Sequence, residues 1–285
     1  MCVLLACGSW AEDAPRYERI ASLSPTLTQM VVELGLGDRL VAVGEHDAVR
    51  PDLPVVGTFG RADAERVLLA KPDVVLATGA GGAADPSVIA AARRVGADVW
   101  CWAMPMSLGA VSEVVWSAEG EGSLSHRLGV ADAGRGLRER YEAALDGLAA
   151  SGDEGDGVAG RRVLVLLEAE PVSALGPGSP LVELMERTGA VNASPLTTAW
   201  GVLDRERLLL ARPEVVLLVR PGDGPLVEGD ARVGSLMEAL PAGARVVVVG
   251  HRLGLLPSTS MAEVGAAMVE AIGGEAGLVV GGGGR

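Results

Sequence analysis

Two aromatic side chains open a block of sequence that occurs twice in the chain, 141 positions apart. Residues 59–76 read FGRADAERVLLAKPDVVL and residues 200–217 read WGVLDRERLLLARPEVVL, with eleven of eighteen positions identical. The first position is Phe59 in one copy and Trp200 in the other. A flat ligand held between two such rings gains stacking contacts. The repeat therefore predicts two similar lobes with a ligand cleft between them, and the alternative is that each ring fills a core beneath a loop.

The same block carries an acidic motif, Asp-x-Glu-Arg, which places Glu65 in the first copy and Glu206 in the second. Asp63 and Asp204 begin the motif at positions typical of helix N-caps. A glutamate in the first turn of a helix interacts favourably with the helix dipole. The residues alone therefore leave a purely structural role open for both glutamates.

Three further polar side chains follow predicted strands, where binding residues tend to occur. His46 lies in the loop GEHD, where a lone histidine is usually just solvated. The alternative is a functional role, in which its neutral imidazole is an axial ligand of haem iron or cobalt. His251 and Arg252 end the strand RVVVVG at the corresponding rim of the second lobe, where they can contact a propionate, phosphate or amide. Met104 and Met106 either line the cleft floor or fill gaps in the core.

These residues need a scaffold, and from residue 19 onward strand-like and helix-like segments alternate. An amphipathic helix is predicted from Ser24 to about Leu34. The alternation stops after residue 106, and one long helix is predicted from Ser125 to Ala150. A second α/β series begins at Val163. The pattern predicts an α/β fold of two parallel-sheet lobes joined by one long connecting α-helix, with the ligand cleft between the lobes.

The predicted domain bounds follow from these segments and from a Gly/Asp-rich stretch after the long helix. They are a partial lipoprotein signal and tether (1–18), an N-terminal α/β lobe (19–106), a connecting helical segment (107–150), a linker (151–160), a C-terminal α/β lobe (161–274) and a flexible tail (275–285).

Composition excludes several classes of protein. The formal net charge of −13 argues against nucleic acid as a partner, because phosphate binding needs a basic surface. The chain has no stretch of about 18–20 uninterrupted apolar residues, the length needed to span a bilayer. Its three cysteines give neither a disulfide framework nor a zinc knuckle. Cys101 lies in the apolar run DVWCWA and is predicted to be a buried core thiol.

Cys7 stands in a different context. The start MCVLLACGSW places Leu-Leu-Ala before this cysteine and glycine after it, and so resembles a bacterial lipobox, whose cysteine becomes lipid-modified. We expect Cys7 to carry a lipid anchor that is the only membrane attachment of the protein. The alternative is an accidental match.

Three segments together resemble a known family: RIASLSPTLTQMVVELGLGDRLVAVGEH, PVVGTFGRADAERVLLAKPDVVLA, and GRRVLVLLEAEPVSALGPGSPLVELMERTGAVNA. They are similar to the class III substrate-binding proteins, the extracytoplasmic receptors of ABC importers for vitamin B12, haem and iron–siderophore complexes. The likeness covers roughly residues 19–272 and is closest in motif to the vitamin B12-binding members.

The resemblance implies roles for the repeated residues. Glu65 and Glu206 match the surface glutamates that dock into arginine pockets on the two subunits of the permease dimer. Phe59 and Trp200 match aromatics that face the corrin from the two lobes. A further tryptophan of some vitamin B12-binding members would fall near Thr78, so part of that aromatic wall is missing here.

The resemblance also implies a transport role. The protein is expected to be a monomer in the periplasm or another extracytoplasmic space and to have no intrinsic cofactor. Its bound ligand would be cobalamin, haem or a ferric siderophore, a metal-chelate small molecule that it passes to the permease.

Two alternatives remain. A receptor for free Zn²⁺ or Mn²⁺ shares the two-lobe layout, but such a site needs about four His, Asp or Glu ligands and the chain has three histidines. A two-lobed α/β enzyme would bind a nucleotide or a metal between its lobes. The sequence contains no GxGxxG, P-loop, G-x-S-x-G or H-E-x-x-H motif, so we predict that the protein is not an enzyme.

Overall fold

The computed structural model describes residues 17–58, 61–120, 122–153, 157–222, 231–253, 256–274 and 277–279. Within them the chain forms two β-sheets flanked by helices, with a helical segment between the sheets in sequence. The predicted pair of α/β lobes joined by a long helix is confirmed. The predictions for Cys7 and Phe59 concern residues outside the described ranges, and the exact domain bounds stay predictions.

The described strands of the first lobe form one sheet. They are β1 (Ile20–Ser22), β2 (Leu40–Gly44), β3 (Val55–Thr58), β4 (Arg61–Ala62), β5 (Val74–Gly79) and β6 (Asp98–Ala103). Their order is β4–β3–β2–β1–β5–β6, and every pair is parallel except β3 with β4. All of β1 and the first four residues of β5 are buried, as expected for central parallel strands covered on both faces.

Three helices cover this sheet: α1 (Pro25–Val31), α2 (Ala64–Ala70) and α3 (Pro86–Val95). In α1, regular α-helix ends at Val31, helical backbone angles continue in a wider turn, and Gly35 interrupts them with φ of 80°. The helix therefore ends close to the predicted Leu34.

The connecting segment contains α4 (Leu108–Val115), α5 (Leu124–Arg127) and α6 (Ala131–Asp153). The prediction of one helix from Ser125 to Ala150 was wrong at its start. Gly129, with φ of 72°, ends α5 in the left-handed conformation typical of helix C-termini, and the 23-residue α6 begins two positions later. In the part of the chain that the structure describes, no helix is both long enough and apolar enough to cross a membrane.

The second lobe has its own sheet. Its described strands are β7 (Arg162–Ala169), β8 (Val172–Leu175), β9 (Val191–Asn192), β10 (Trp200–Val202), β11 (Val215–Pro221), β12 (Arg245–His251) and β13 (Leu278–Val279). They run in the order β10–β8–β7–β11–β12–β13, with β9 beside β7. The helices are α7 (Pro180–Arg187), α8 (Arg205–Ala211), α9 (Ala231–Ala239) and α10 (Met261–Gly273).

This sheet is less uniformly parallel than predicted. Parallel pairing joins β7 to β9 and β11, and β11 to β12, whereas β8, β10 and β13 pair antiparallel. Two residues separate β7 from β8, and so short a connection permits only an antiparallel hairpin. The antiparallel edge formed by β8 and β10 becomes one wall of the candidate site.

The repeated block has the same local structure in both lobes. Asp63 accepts backbone hydrogen bonds at the start of α2, and Asp204 does so at the start of α8. Each helix ends at a cationic residue in the left-handed region, Lys71 with φ of 46° and Arg212 with φ of 44°. Both precede a proline, which disfavours a further helical turn. The prediction of N-caps at Asp63 and Asp204 is confirmed.

An arginine outside the block secures each of these helix ends. The guanidinium of Arg19 donates to the carbonyls of Ala70 and Lys71 at 2.7 and 2.8 Å. Arg162 makes the same pair of hydrogen bonds at the end of α8, at 2.6 and 3.2 Å. These contacts place a positive charge where a helix has unpaired carbonyls and the negative end of its dipole. Each arginine ties the repeated helix to the first strand of its lobe.

One apolar core runs through both lobes by way of α6. Leu137, Tyr141, Leu145 and Leu148 occupy one stripe of this helix and are at most 7% exposed. They belong to a single cluster that contains residues of α1 from the first lobe and residues of α7 and α10 from the second. Because the lobes share this core, the long helix fixes their relative position.

Tyr141 supplies a test of that core. Its hydroxyl is buried and has no hydrogen-bond partner among the described residues, and burial raises the pKa of the phenol, so it stays protonated. We expect Tyr141→Phe to raise the free energy of unfolding by roughly 1 kcal/mol, because an unsatisfied buried hydroxyl is removed. Tyr141→Ala should lower it by about 3–5 kcal/mol through the cavity it leaves.

Urea denaturation followed by circular dichroism measures both variants. A loss of more than about 1 kcal/mol in Tyr141→Phe would contradict this account, because it would mean that the hydroxyl is hydrogen-bonded in the folded protein.

Candidate ligand-binding site

A recess of about 230 Å³ lies where the two lobes face each other beyond the end of β6. Its wall from the first lobe consists of Met104 and Met106, which follow that strand. Its wall from the second lobe includes Leu175 and Trp200, which are paired across β8 and β10. Open parallel sheets bind ligands beyond the carboxyl ends of their strands, and the recess is in such a place.

The lining of this recess is almost entirely apolar. Leu167, Leu181, Pro257 and Met261 complete much of the second-lobe wall. Among the described lining residues, Ser179 alone carries a hydroxyl and none carries a charge. The recess therefore favours a ligand with an apolar face or edge.

Trp200 is 65% exposed although it belongs to a strand, so it does not fill a core. Its cross-strand partner Leu175 is 6% exposed and lines the recess beside it. The equivalent residue of the first lobe, Phe59, follows β3 directly but lies outside the described residues.

Met104 and Met106 line the recess and are 39% and 55% exposed. The structure therefore agrees with the first interpretation of these residues, that they line the cleft, and not with the second, that they fill gaps in the core. A thioether is polarizable and adapts to irregular surfaces, and sulfur packs well against aromatic rings. Two methionines opposite an exposed indole suit a broad conjugated ligand.

The other tryptophans in the described residues lie away from the recess. The guanidinium carbon of Arg127 lies 5.5 Å from the ring centroid of Trp100 and 5.4 Å from that of Trp102, and both rings pack against the shared core. Trp116 is similarly covered by arginines on α6. All of these contacts are cation–π interactions. Those of Arg127 join the connecting segment to β6 of the first lobe, and those on Trp116 lie within the connecting segment. Trp200 is therefore the one described tryptophan that reports on the recess.

His46 does not line the recess. It occupies a left-handed position with φ of 65° in the loop after β2, and its side chain is 69% exposed with its Nε2 atom 3.9 Å from Glu45. The structure thus places it on the rim of the first lobe, and its proposed role as a metal ligand stays a prediction.

His251 and Arg252 are engaged within the protein. The backbone N–H of Leu253 donates to Nδ1 of His251, so Nε2 carries the proton and donates to Glu263 at 3.2 Å. Arg252 donates to the side-chain oxygen of Gln29 at 3.1 Å, which links the two lobes across 223 positions of sequence. His251 must release Glu263 before its Nε2 can contact a ligand, whereas the exposed Arg252 uses one of its five N–H donors on Gln29. A ligand-binding role for both residues stays a prediction.

The described residues contain no metal site built from histidine or tyrosine side chains. The structure contains no cluster there of three or more His, Cys, Asp or Glu side chains able to hold an ion. Both tyrosines of the chain are buried elsewhere, Tyr141 in the shared core and Tyr17 with its hydroxyl donating to Asp98. Free Zn²⁺ or Mn²⁺ therefore has no matching set of ligands in these ranges.

Cys101 is half-buried on β6, so the prediction of a fully buried thiol was only partly right. Burial raises the pKa of this thiol, which keeps it protonated at neutral pH and unsuited to act as a nucleophile or metal ligand.

Glu65 and Glu206 occupy the first turns of α2 and α8 and are exposed. Neither lines the recess. The pair therefore belongs to an outer surface, separate from the ligand site.

Sequence reasoning missed most of the second-lobe wall. Leu167, Leu175 and Met261 come from three distant segments that only the fold brings together. Each looks like an ordinary apolar position of a strand or helix, so no local signal distinguishes it from a core residue.

Comparison with known proteins agrees with this geometry. A curated relative, the vitamin B12-binding protein of Vibrio cholerae serotype O1, is 26% identical over 203 residues, which is 70% of this chain and 69% of the relative. The vitamin B12-binding protein of Yersinia pestis is 38% identical over a shorter stretch of 76 residues, 26% of this chain and 27% of the relative.

Solved structures share the fold. The periplasmic heme-binding protein RhuT from Roseiflexus sp. RS-1 superposes with a TM-score of 0.71 at 23% identity, covering 90% of this chain and 97% of that one. The periplasmic vitamin B12 binding protein BtuF of Vibrio cholerae gives 0.64 at 20% identity, covering 90% and 96%.

The model of one protein family, described as periplasmic binding protein, matches residues 20–229, well over half of the chain. The predicted role, substrate binding for an ABC importer rather than catalysis, is confirmed by this match together with the relatives. The chain belongs to the periplasmic binding protein family.

Proposed function

We propose that this protein captures a cobalamin-type corrinoid between its lobes and delivers it to the permease of an ABC importer. The observation that carries the proposal is the apolar recess in which Trp200 and Leu175 face Met104 and Met106. A corrin ring is larger than this recess, so one part of the ring would rest there while the rest spans the gap to the first lobe.

The energetics favour such a ligand. Burying apolar surface contributes about 25 cal/mol per Å², and an aromatic stacking contact adds roughly 0.5–1.5 kcal/mol. The recess contains no described charged side chain that would have to lose its hydration on binding. A neutral macrocycle with wide apolar faces therefore gains most from this lining, whereas an anionic ferric siderophore finds no matching cation in it.

The choice of metal chelate rests on axial ligands. Haem iron in proteins is held by His, Cys, Met or Tyr side chains, whereas cobalamin brings its own axial ligands to cobalt. Among the described lining residues, imidazole, phenol and thiol groups are absent. This supports cobalamin, as does the name of the V. cholerae relative.

Haem is the second candidate, and a specific observation favours it. Met104 and Met106 expose their thioethers at the recess, and a methionine sulfur can hold haem iron. Solved structures with this fold include haem-binding periplasmic proteins. His46 would be a ligand only if its loop moved toward the recess.

We further propose that Glu65 and Glu206 dock into arginine pockets on the two subunits of a permease dimer. Their equivalent positions on two similar lobes fit a partner with two-fold symmetry. Carboxylate–arginine pairs add bidentate geometry and register. The protein would act as a monomer held at the membrane by a lipid on Cys7, with Phe59 facing the ligand from the first lobe.

The first prediction concerns the ligand. Isothermal titration calorimetry with cyanocobalamin, haemin and a ferric siderophore should give micromolar or tighter binding for cyanocobalamin, with Trp200→Ala weakening it about tenfold because a large stacking surface is lost. Val202→Ala is the matched control, since Val202 is 54% exposed on the same strand but does not line the recess.

Binding of haemin alone, lost in Met104→Ala or Met106→Ala, would replace cobalamin with the second candidate. No binding of any of the three compounds would disprove the proposed function.

The second prediction concerns docking. Glu65→Ala combined with Glu206→Ala should leave cyanocobalamin affinity unchanged and abolish its uptake into proteoliposomes that contain the permease. The reason is that both side chains are exposed and lie outside the recess. Loss of cyanocobalamin affinity in the double variant would contradict the docking role and assign these residues to the site or to stability.

A further inference from the structure

The repeated helices expose apolar side chains as well as carboxylates. In the described residues, every leucine that is more than about a third exposed lies on α2 or α8: Leu68 at 48%, Leu69 at 80%, Leu209 at 43% and Leu210 at 67%. The most exposed leucine of each helix occupies the same position of the repeated block.

These two leucines share a helix face with the proposed docking glutamates. Leu69 follows Glu65 by four positions and Leu210 follows Glu206 by four, a spacing that places side chains one above the other. The opposite face of each helix packs into its lobe, where Val67 is 0% exposed. Each lobe therefore presents a carboxylate and a leucine side by side to the outside.

A single exposed leucine needs no explanation. Here, however, the two copies of the block differ at seven of eighteen positions, including Ala64 against Arg205 on this same helix. The exposed leucines are nevertheless the same in both copies. Helix formation does not require this, because alanine, glutamate or lysine serves equally well at an exposed helical position.

The charges indicate what kind of surface would cover these leucines. Neither Glu65 nor Glu206 forms an ion pair with a described residue, and the chain carries a formal charge of −13. Two acidic groups at equivalent sites complement a cationic partner that presents two equivalent surfaces. An apolar side chain beside each carboxylate then fits an apolar depression next to each cationic pocket.

We propose that Leu69 and Leu210 are a pair of apolar anchors, each of which enters an apolar depression beside the arginine pocket on one subunit of the permease dimer. This inference rests on the proposed function and assigns a second component to the same docking surface. The carboxylates steer the encounter and set its register, whereas the leucines slow dissociation once water is excluded from the interface.

The test is the affinity of the ligand-loaded protein for the permease dimer reconstituted in lipid nanodiscs, measured by surface plasmon resonance. Leu69→Ser combined with Leu210→Ser should weaken binding about 100-fold, roughly tenfold for each anchor, mainly through faster dissociation. Cyanocobalamin affinity and the urea midpoint should not change, because both side chains are exposed.

The dependence of binding on salt concentration distinguishes the contribution of the carboxylates from that of the leucines. Binding of the wild-type protein should weaken as ionic strength rises, because the carboxylate contacts are screened. The leucine double variant should lose the same factor at low and at high salt, because apolar contacts are not screened. Ile89→Ser combined with Val191→Ser is the control, because these side chains are 36% and 44% exposed, one on each lobe, outside the repeated helices, and it should weaken binding less than about threefold.

Three results would overturn the assignment of Leu69 and Leu210 as anchors. If the glutamate double variant loses docking but the leucine double variant does not, the anchors are disproved and the proposed docking role stands. If neither pair affects docking, the proposed docking surface itself is wrong. If the wild-type protein dimerises in sedimentation and the leucine variant does not, the anchors serve a second copy of this chain, which also overturns the proposal.

Discussion

The relative position of the two lobes depends on the burial of one face of the connecting helix α6. The stripe from Leu137 to Leu148 on α6 packs into a core that both lobes share. The packing is close enough that a β-carbon added at Gly265 of α10 would collide with Leu148 and approach Leu184. Interiors packed in this way resist small deformations, so the lobes behave as parts of one body.

A fixed arrangement of lobes has consequences for binding. Two hydrogen bonds supplement the shared core: Arg252 of the second lobe donates to Gln29 of α1, and the Leu108 N–H of α4 donates to Glu183 of α7. Because the shared core fixes the lobes, binding does not have to order them, and more of the contact energy appears as affinity. The same rigidity keeps α2 and α8 at a constant separation, which the proposed docking to a two-fold partner requires.

The structural features that occur in both lobes could be predicted from the sequence. Eleven identities in the duplicated block are enough to predict two lobes, the caps of α2 and α8, and the paired glutamates. The arginines that bind the ends of these helices could not be predicted from the repeat. Arg19 and Arg162 lie outside the block, and they are 143 positions apart whereas the two copies of the block are 141 positions apart. The wall of the recess could not be predicted either, since its residues meet only through tertiary packing. Likewise, nothing local to Arg252 indicates a partner 223 positions away.

Crystal structures of the protein with and without cyanocobalamin test the preformed site most directly. We expect a corrin in van der Waals contact, ~4 Å, with Trp200 and with the methionines of the first lobe. We also expect backbone positions of the two lobes to change by less than about 1 Å between the two crystals. A corrin bound outside the recess, or a large hinge closure between the lobes, would contradict the claim of a preformed site built on a shared core.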